Sequence, residues 1–186
     1  MKRWLTLLLV PFIACQMDYS PKPLAYNRID IPKNIEHKQI DTPKYWKSYL
    51  YSGANVKNDR KNDRWNTIIF PKYNAELFLT YFPISDTLGL ETLLEEMHQL
   101  SFDHQQKANA IEVNPKELNN GNLILEYKIK GDAATAYQFC ITDSSRNYLR
   151  GALYFRNTPN YDSTLPVLSF IEQELSLFMD SLEWKN

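Results

Sequence analysis

The apolar residues of this chain change their period in a fixed order after Trp65, and that order restricts the fold more than any single motif does. Trp65–Phe70 and Ala75–Phe82 are short runs rich in Ile, Phe and Tyr. Between them Pro71-Lys72-Tyr73-Asn74 has the composition of a hairpin turn. In the second run Ala75, Leu77, Leu79 and Tyr81 alternate with Glu76, Phe78, Thr80 and Phe82, so both strand faces are partly apolar. Leu90, Leu93, Leu94, Met97 and Leu100 then recur at helical spacing, with Glu91, Glu95 and Glu96 on the other side. The spacing predicts a helix from about Thr87, capped within Ser85-Asp86-Thr87, running into the region 104–110 with a break near Ser101. Three strand-like runs follow, Leu123–Lys130, Ala134–Thr142 and Leu149–Arg156. A tight turn at Gly131-Asp132 and a longer one at Asp143–Asn147 make them an antiparallel meander. Val167, Phe170, Ile171, Leu175, Phe178 and Leu182 mark a last helix from about Thr164, with Ser163 as cap and Pro166 in the first turn. The order β-β-α-β-β-β-α predicts an α+β fold, an antiparallel sheet covered by helices.

The other end of the chain concerns location rather than fold. Lys2 and Arg3 precede an apolar run of about ten residues, and Ala14 stands before Cys15. Such a run is too short to span a bilayer, and Gln16, Asp18 and Lys22 end it at once. A cysteine directly after a small residue in this setting is the acylation site of a bacterial lipoprotein. Residues 1–14 therefore read as a signal peptide and Cys15 as the lipidated residue, anchored far more firmly than one acyl chain allows. Phe12 stands where Leu is usual, and a plain secreted protein is the competing reading. Residues 15–24, with Pro21 and Pro23, read as a tether, and 25–186 as one globular domain. Its first part, to about residue 64, reads as an irregular cover, because Pro32, Pro43 and the polar stretch Asn55–Arg64 interrupt regular structure.

Charge and composition exclude some functions. The formal net charge of −1 becomes more negative once Lys2 and Arg3 leave with the signal, so nothing attracts nucleic acid. Twelve Tyr, nine Phe and four Trp against five Gly favour a sheet-containing core. With Cys15 acylated, Cys140 has no intramolecular partner, and its apolar strand makes it a small core residue.

Catalysis by a nucleophile needs a base that meets it. His37, His98 and His104 are the only histidines, and no Gly-x-Ser-x-Gly elbow occurs. His98 and His104 are not at the i, i+4 spacing that sets two metal ligands on one helix face, so no metal or cofactor is expected. Glu95 and Glu96 diverge around the helix and read as a solvated face. Asp143, Ser144 and Asp162 sit in polar turns where capping explains them; a shared pocket built from them is the second reading, an envelope enzyme or small-ligand binder. The stretch from Thr142 to Arg156 is the densest in functional side chains. Arg146, Tyr148, Arg150, Tyr154 and Arg156 are residue types that anchor interfaces, and Arg150, Tyr154 and Arg156 share one strand face. A non-enzymatic partner-binding surface is the first reading.

Several stretches match a known family. They are Tyr19–Pro23 with Tyr26–Asp30, Lys72–Ala75, Leu94–Leu100 continuing through His104–Ala108, Gln138-Phe139, Thr142–Ser144, Asn147–Phe155 and Pro159–Val167. In these the chain resembles the gliding-motility lipoprotein GldD family of the Bacteroidetes. The resemblance implies a lipid-anchored envelope accessory protein of gliding and the linked type IX secretion system. Its partners would be envelope proteins of that machinery and, through the N-terminal lipid, the membrane. It transfers no catalytic residue or ligand. The element order also resembles the Mog1/PsbP-like α/β/α sandwich. Surface-bound lipoproteins of this group usually carry an acidic cluster after the cysteine. Gln16-Met17-Asp18-Tyr19-Ser20 holds one acid, which implies an anchor facing the periplasm.

Overall fold

The structure, a computed structural model, describes residues 29–85 and 87–185. The signal peptide, Cys15 and the tether lie outside these residues. Ten strands and two helices follow one another: β1 (His37–Asp41), β2 (Trp46–Tyr51), β3 (Asn55–Asn58), β4 (Trp65–Phe70), β5 (Ala75–Pro83), α1 (Leu90–Phe102), β6 (Ala108–Glu117), β7 (Leu123–Gly131), β8 (Thr135–Thr142), β9 (Asn147–Phe155), α2 (Tyr161–Asp180) and β10 (Glu183–Trp184). The fold is α+β, as the apolar periods predict. Seven strands form one sheet in the order β3-β4-β5-β9-β8-β7-β6, with every neighbouring pair antiparallel. A smaller sheet has the order β1-β2-β10.

The expected hairpin is β4–β5, closed by a 3-10 turn at Pro71–Tyr73 with Asn74 in the left-handed region. The expected meander is β7–β8–β9. The sheet becomes continuous because β5 pairs with β9, from Ala75 opposite Phe155 to Pro83 opposite Asn147. At the end of β7, Gly131 has φ 121°, and a Cβ there would come 2.8 Å from the backbone of Lys107 and Asn109. Only glycine fits where the β6 bulge crosses this turn.

Three regions differ from the sequence reading. The segment read as an irregular cover holds β1, β2 and β3, whose runs are too short and mixed to show a period and are completed by their neighbours. The first helix begins later, at an extended Gly89, because Ser85 Oγ accepts the Leu88 N–H in a turn of its own. It also ends at Phe102, and the stretch expected to prolong it is a turn over 103–107 that leads into β6, the outer strand of the large sheet. The last helix starts earlier. Asn160 is the cap, its side chain accepting from Ser163 N at 3.1 Å, so Pro166 lies inside the helix and removes one backbone bond there.

The two faces of the large sheet are unequal. On one face Leu77, Tyr137, Phe139, Ile141, Leu149 and Leu153 meet Phe170, Ile171, Leu175 and Phe178 of α2 in the main core. The small sheet closes over the other side of α2 with Trp46 and Leu50, both fully buried. Phe178 joins the layers, edge-on to Trp46 at 5.3 Å and to Phe139 at 6.4 Å between centroids. On the opposite face α1 lies on Tyr127, Cys140 and Tyr148 through Leu93 and Met97. Two carboxylates are buried, Glu174 of α2 and Glu126; Glu126 is 4% exposed and accepts from Tyr137 Oη at 2.5 Å, while Lys116 Nζ stands 2.6 Å from its other oxygen. Phe178→Ala is expected to cost about 3–5 kcal/mol in urea unfolding. It should also raise amide exchange in β2 selectively, because that strand loses the ring that holds it to α2.

Candidate interaction surface

Helix α1 has 13 residues and is about 20 Å long. A seven-stranded sheet is roughly 30 Å wide, and one helix about 10 Å across cannot cover it. The face beneath α1 is therefore open over β3, β4, β5 and the second half of β9. Register decides what points there. Trp65 lies opposite Thr80, and Thr67 opposite Phe78. Thr80 in turn faces Arg150, Phe78 faces Ala152 and Glu76 faces Tyr154. Phe78 meets Tyr154 edge-on at 5.7 Å. Trp65 is 52% exposed, Phe78 46% and, at the edge of α1, Leu100 38%. Large apolar side chains gathered in one exposed patch are characteristic of contact surfaces.

The residues singled out in the sequence are divided by this arrangement. Arg150, Tyr154 and Arg156 do share a face. Arg150 Nη1 donates to Glu96 Oε1 of α1 at 2.9 Å, and its guanidinium lies 5.4 Å from the Phe82 ring centre. Arg156 is exposed and donates to Glu76 on β5. Arg146 is exposed in the β8–β9 turn. Tyr148 leaves the set, because it is fully buried beneath α1 and donates its hydroxyl to the Leu93 carbonyl at 3.1 Å. Burial pushes its phenol far above the usual range. Trp65, Phe78 and Leu100 were missed in the sequence. The one available signal was Phe78, an aromatic on the polar side of the β5 alternation.

The second constellation does not converge. Asp143 precedes β9 and Asp162 follows it, and the strand between them spans roughly 25 Å. Asp143 Oδ1 accepts from the backbone N–H groups of Ser145, Arg146 and Asn147, at 2.8–2.9 Å, and Oδ2 accepts from Asn147 Nδ2 at 2.6 Å. Ser144 has φ 61° and donates its N–H to Thr142 Oγ1. Asp162 is exposed in the first turn of α2. These groups build a turn and a helix start, and they share no pocket.

The histidines are also dispersed. His37 Nε2 pairs with Glu174 Oε2 at 2.9 Å, and His98 stacks on Phe102 with centroids 4.3 Å apart. His104 borders the open face. Among the described residues no three His, Cys, Asp or Glu side chains are grouped to hold a metal. Cys140 is free and 1% exposed, and burial pushes its thiol up to about 11. A thiol in that state is packing rather than chemistry.

A family model described as gliding motility lipoprotein GldD matches residues 16–184. No curated protein matches the chain. Among the described residues no helix is long and apolar enough to cross a membrane.

The Asp143 turn makes a testable statement about acid stability. Burial alone would raise its carboxyl pKa, but the three backbone donors and Asn147 outweigh burial and hold it down to about 2. A depressed carboxyl stabilises the fold above its unfolded value of about 3.9 and loses that contribution as pH falls through its folded value. Asp143→Asn should lower the urea midpoint at pH 7 and flatten its decline between about pH 4 and pH 2. Parallel midpoint–pH curves for the two proteins would contradict this account of the turn.

Proposed function

The chain belongs to the gliding motility lipoprotein GldD family, and from that membership we propose a lipid-anchored envelope accessory protein that acts by binding other proteins of the gliding and linked type IX secretion machinery. The observation that carries this reading is the open sheet face, where Trp65, Phe78, Leu100 and Tyr154 present aromatic and apolar surface that the protein's own helices leave uncovered. Aromatic anchors with arginines beside them dominate the energetics of protein interfaces. Arg150 and Arg156 stand at this patch, each already held in place by a carboxylate, Glu96 or Glu76. Side chains fixed before binding lose less conformational entropy when a partner arrives. The scattered histidines, the separated Asp143 and Asp162 and the buried Cys140 favour a binding role over a catalytic one. Cys15 carries the lipid in this reading, and the single acid after it favours attachment facing the periplasm.

Two experiments follow. Trp65→Ser and Phe78→Ser, both on exposed positions, should leave the melting temperature near wild type while abolishing gliding or secretion and the capture of an envelope partner by crosslinking. Wild-type motility, secretion and capture in both variants would remove this face as the interface. Cys15→Ala should move the protein out of the membrane fraction; unchanged membrane attachment overturns lipid anchoring at that residue.

A further inference from the structure

A trough of about 440 Å³ runs along the edge of α1 where it meets the open face, lined by Phe78, Thr80, Leu100, His104, Gln138, Arg150, Ala152 and Tyr154. It forms because the register sets small Ala152 between Phe78 and Gln138, so the sheet floor is low there while Leu100 and His104 stand on the helix side. Gln138 is the unusual member. It is 3% exposed and stands 3.3 Å from Ser101 Oγ, whose proton goes to the Met97 carbonyl at 2.9 Å, and it has no other side-chain hydrogen-bond partner among the described residues. The amide nitrogen is not sealed from solvent, so an occupant of the trough can reach it. Of the other polar groups of the lining, Arg150 only donates, whereas the hydroxyls and the His104 ring both donate and accept. Arg150 uses Nη1 on Glu96, leaving Nη2 and Nε without an acceptor among the described residues. The Thr80 hydroxyl, the Tyr154 phenol and the His104 ring likewise have no hydrogen-bond partner there. The trough thus gathers polar groups able to donate around the free nitrogens of Arg150, and Glu96, already bonded to Arg150, stands at its rim.

We propose that this trough receives the carboxylate of an acidic side chain presented by a protein partner. An arginine fork with spare donors and a buried amide suits a planar, bidentate anion. Phe78 and Tyr154 belong both to the trough wall and to the aromatic patch, so an occupant that fills the trough while covering Trp65 is larger than a small molecule. This rests on the interface reading above and adds the chemistry that the interface selects. Glu96 holds Arg150 in position, and the partner's carboxylate takes the donors Glu96 leaves free.

The test uses the full-length chain in detergent and two probe peptides, acetyl-Phe-Glu-Phe-amide and acetyl-Phe-Gln-Phe-amide. The Glu peptide should bind at least about tenfold more tightly and shift the Gln138 side-chain amide resonances. Arg150→Met should erase the discrimination. Should that variant fold poorly, Thr80→Val combined with Tyr154→Phe serves in its place, with a loss of at least about threefold. Equal affinity for both peptides, or no binding of either up to about 10 mM, overturns the proposal. Sodium phenylacetate binding as tightly as the Glu peptide overturns the protein partner as source. Discrimination lost while Trp65→Ser still abolishes partner capture leaves the interface standing without its acidic anchor. Discrimination kept while Trp65→Ser captures normally confirms the carboxylate site and removes the wider interface.

Discussion

The clasp of α2 between two sheets is the contact on which the other features depend. Its apolar stripe is wide enough to bury Phe170, Ile171, Leu175 and Phe178 against the large sheet while Trp46 and Leu50 of β2 close on its other side. Hydrogen bonds fix the axial position of the helix as well. Ser48 Oγ donates to the Phe178 carbonyl at 2.6 Å, and Tyr49 N donates to Ser181 Oγ at 3.1 Å. The chain then turns directly into β10, which pairs with β2. A helix gripped on both sides cannot shift without exposing two interfaces at once, and the N-terminal strands are recruited for this purpose.

The second face follows from the first. With α2 and three strands committed to one side, a single short helix remains for the other, and its footprint is smaller than the sheet. The residues beneath it show the division sharply. Tyr148 is sealed under Leu93, whereas Arg150, two positions further along the same strand face, reaches the helix edge, and Tyr154 lies beyond it. A single strand thus passes from core to rim to open surface. Beside Gln138 of the neighbouring β8, that gradient sets an anchored guanidinium and exposed aromatics next to a buried amide, the composition from which the proposed interface is built.

Legibility in the sequence varied with the length and purity of each apolar pattern. The meander β7–β9 and the stripe of α2 were clear because each carries at least three apolar residues at one period. The strand β6 was not. Ala108-Asn109-Ala110-Ile111-Glu112-Val113 has small and polar residues at most positions, and as an outer strand it needs only β7 to satisfy one side of its backbone. The start of α2 was misplaced because Ser163 and Asn160 are both good caps, and the choice falls to the residue whose side chain reaches a free amide. On the open face, Arg150 and Tyr154 of β9 and Arg156 just past its end are legible together because they alternate along one stretch of chain. Trp65 and Leu100 come from β4 and α1 and join them only through pairing and packing.

The sequence alone determined the α+β class, the hairpin, the meander and the amphipathic second helix, because these rest on local period and turn chemistry. It also determined that Cys140 has no cysteine with which to pair once Cys15 is set aside. Only the tertiary structure decided that β5 joins β9, that β1 to β3 are strands at all, and that Tyr148 is buried while Tyr154 is not. These depend on contacts between residues distant in the chain, whose free energy appears only when both partners are in place. The open face belongs to that second kind: it exists because one helix is narrower than the sheet it covers, a mismatch that no stretch of residues encodes by itself.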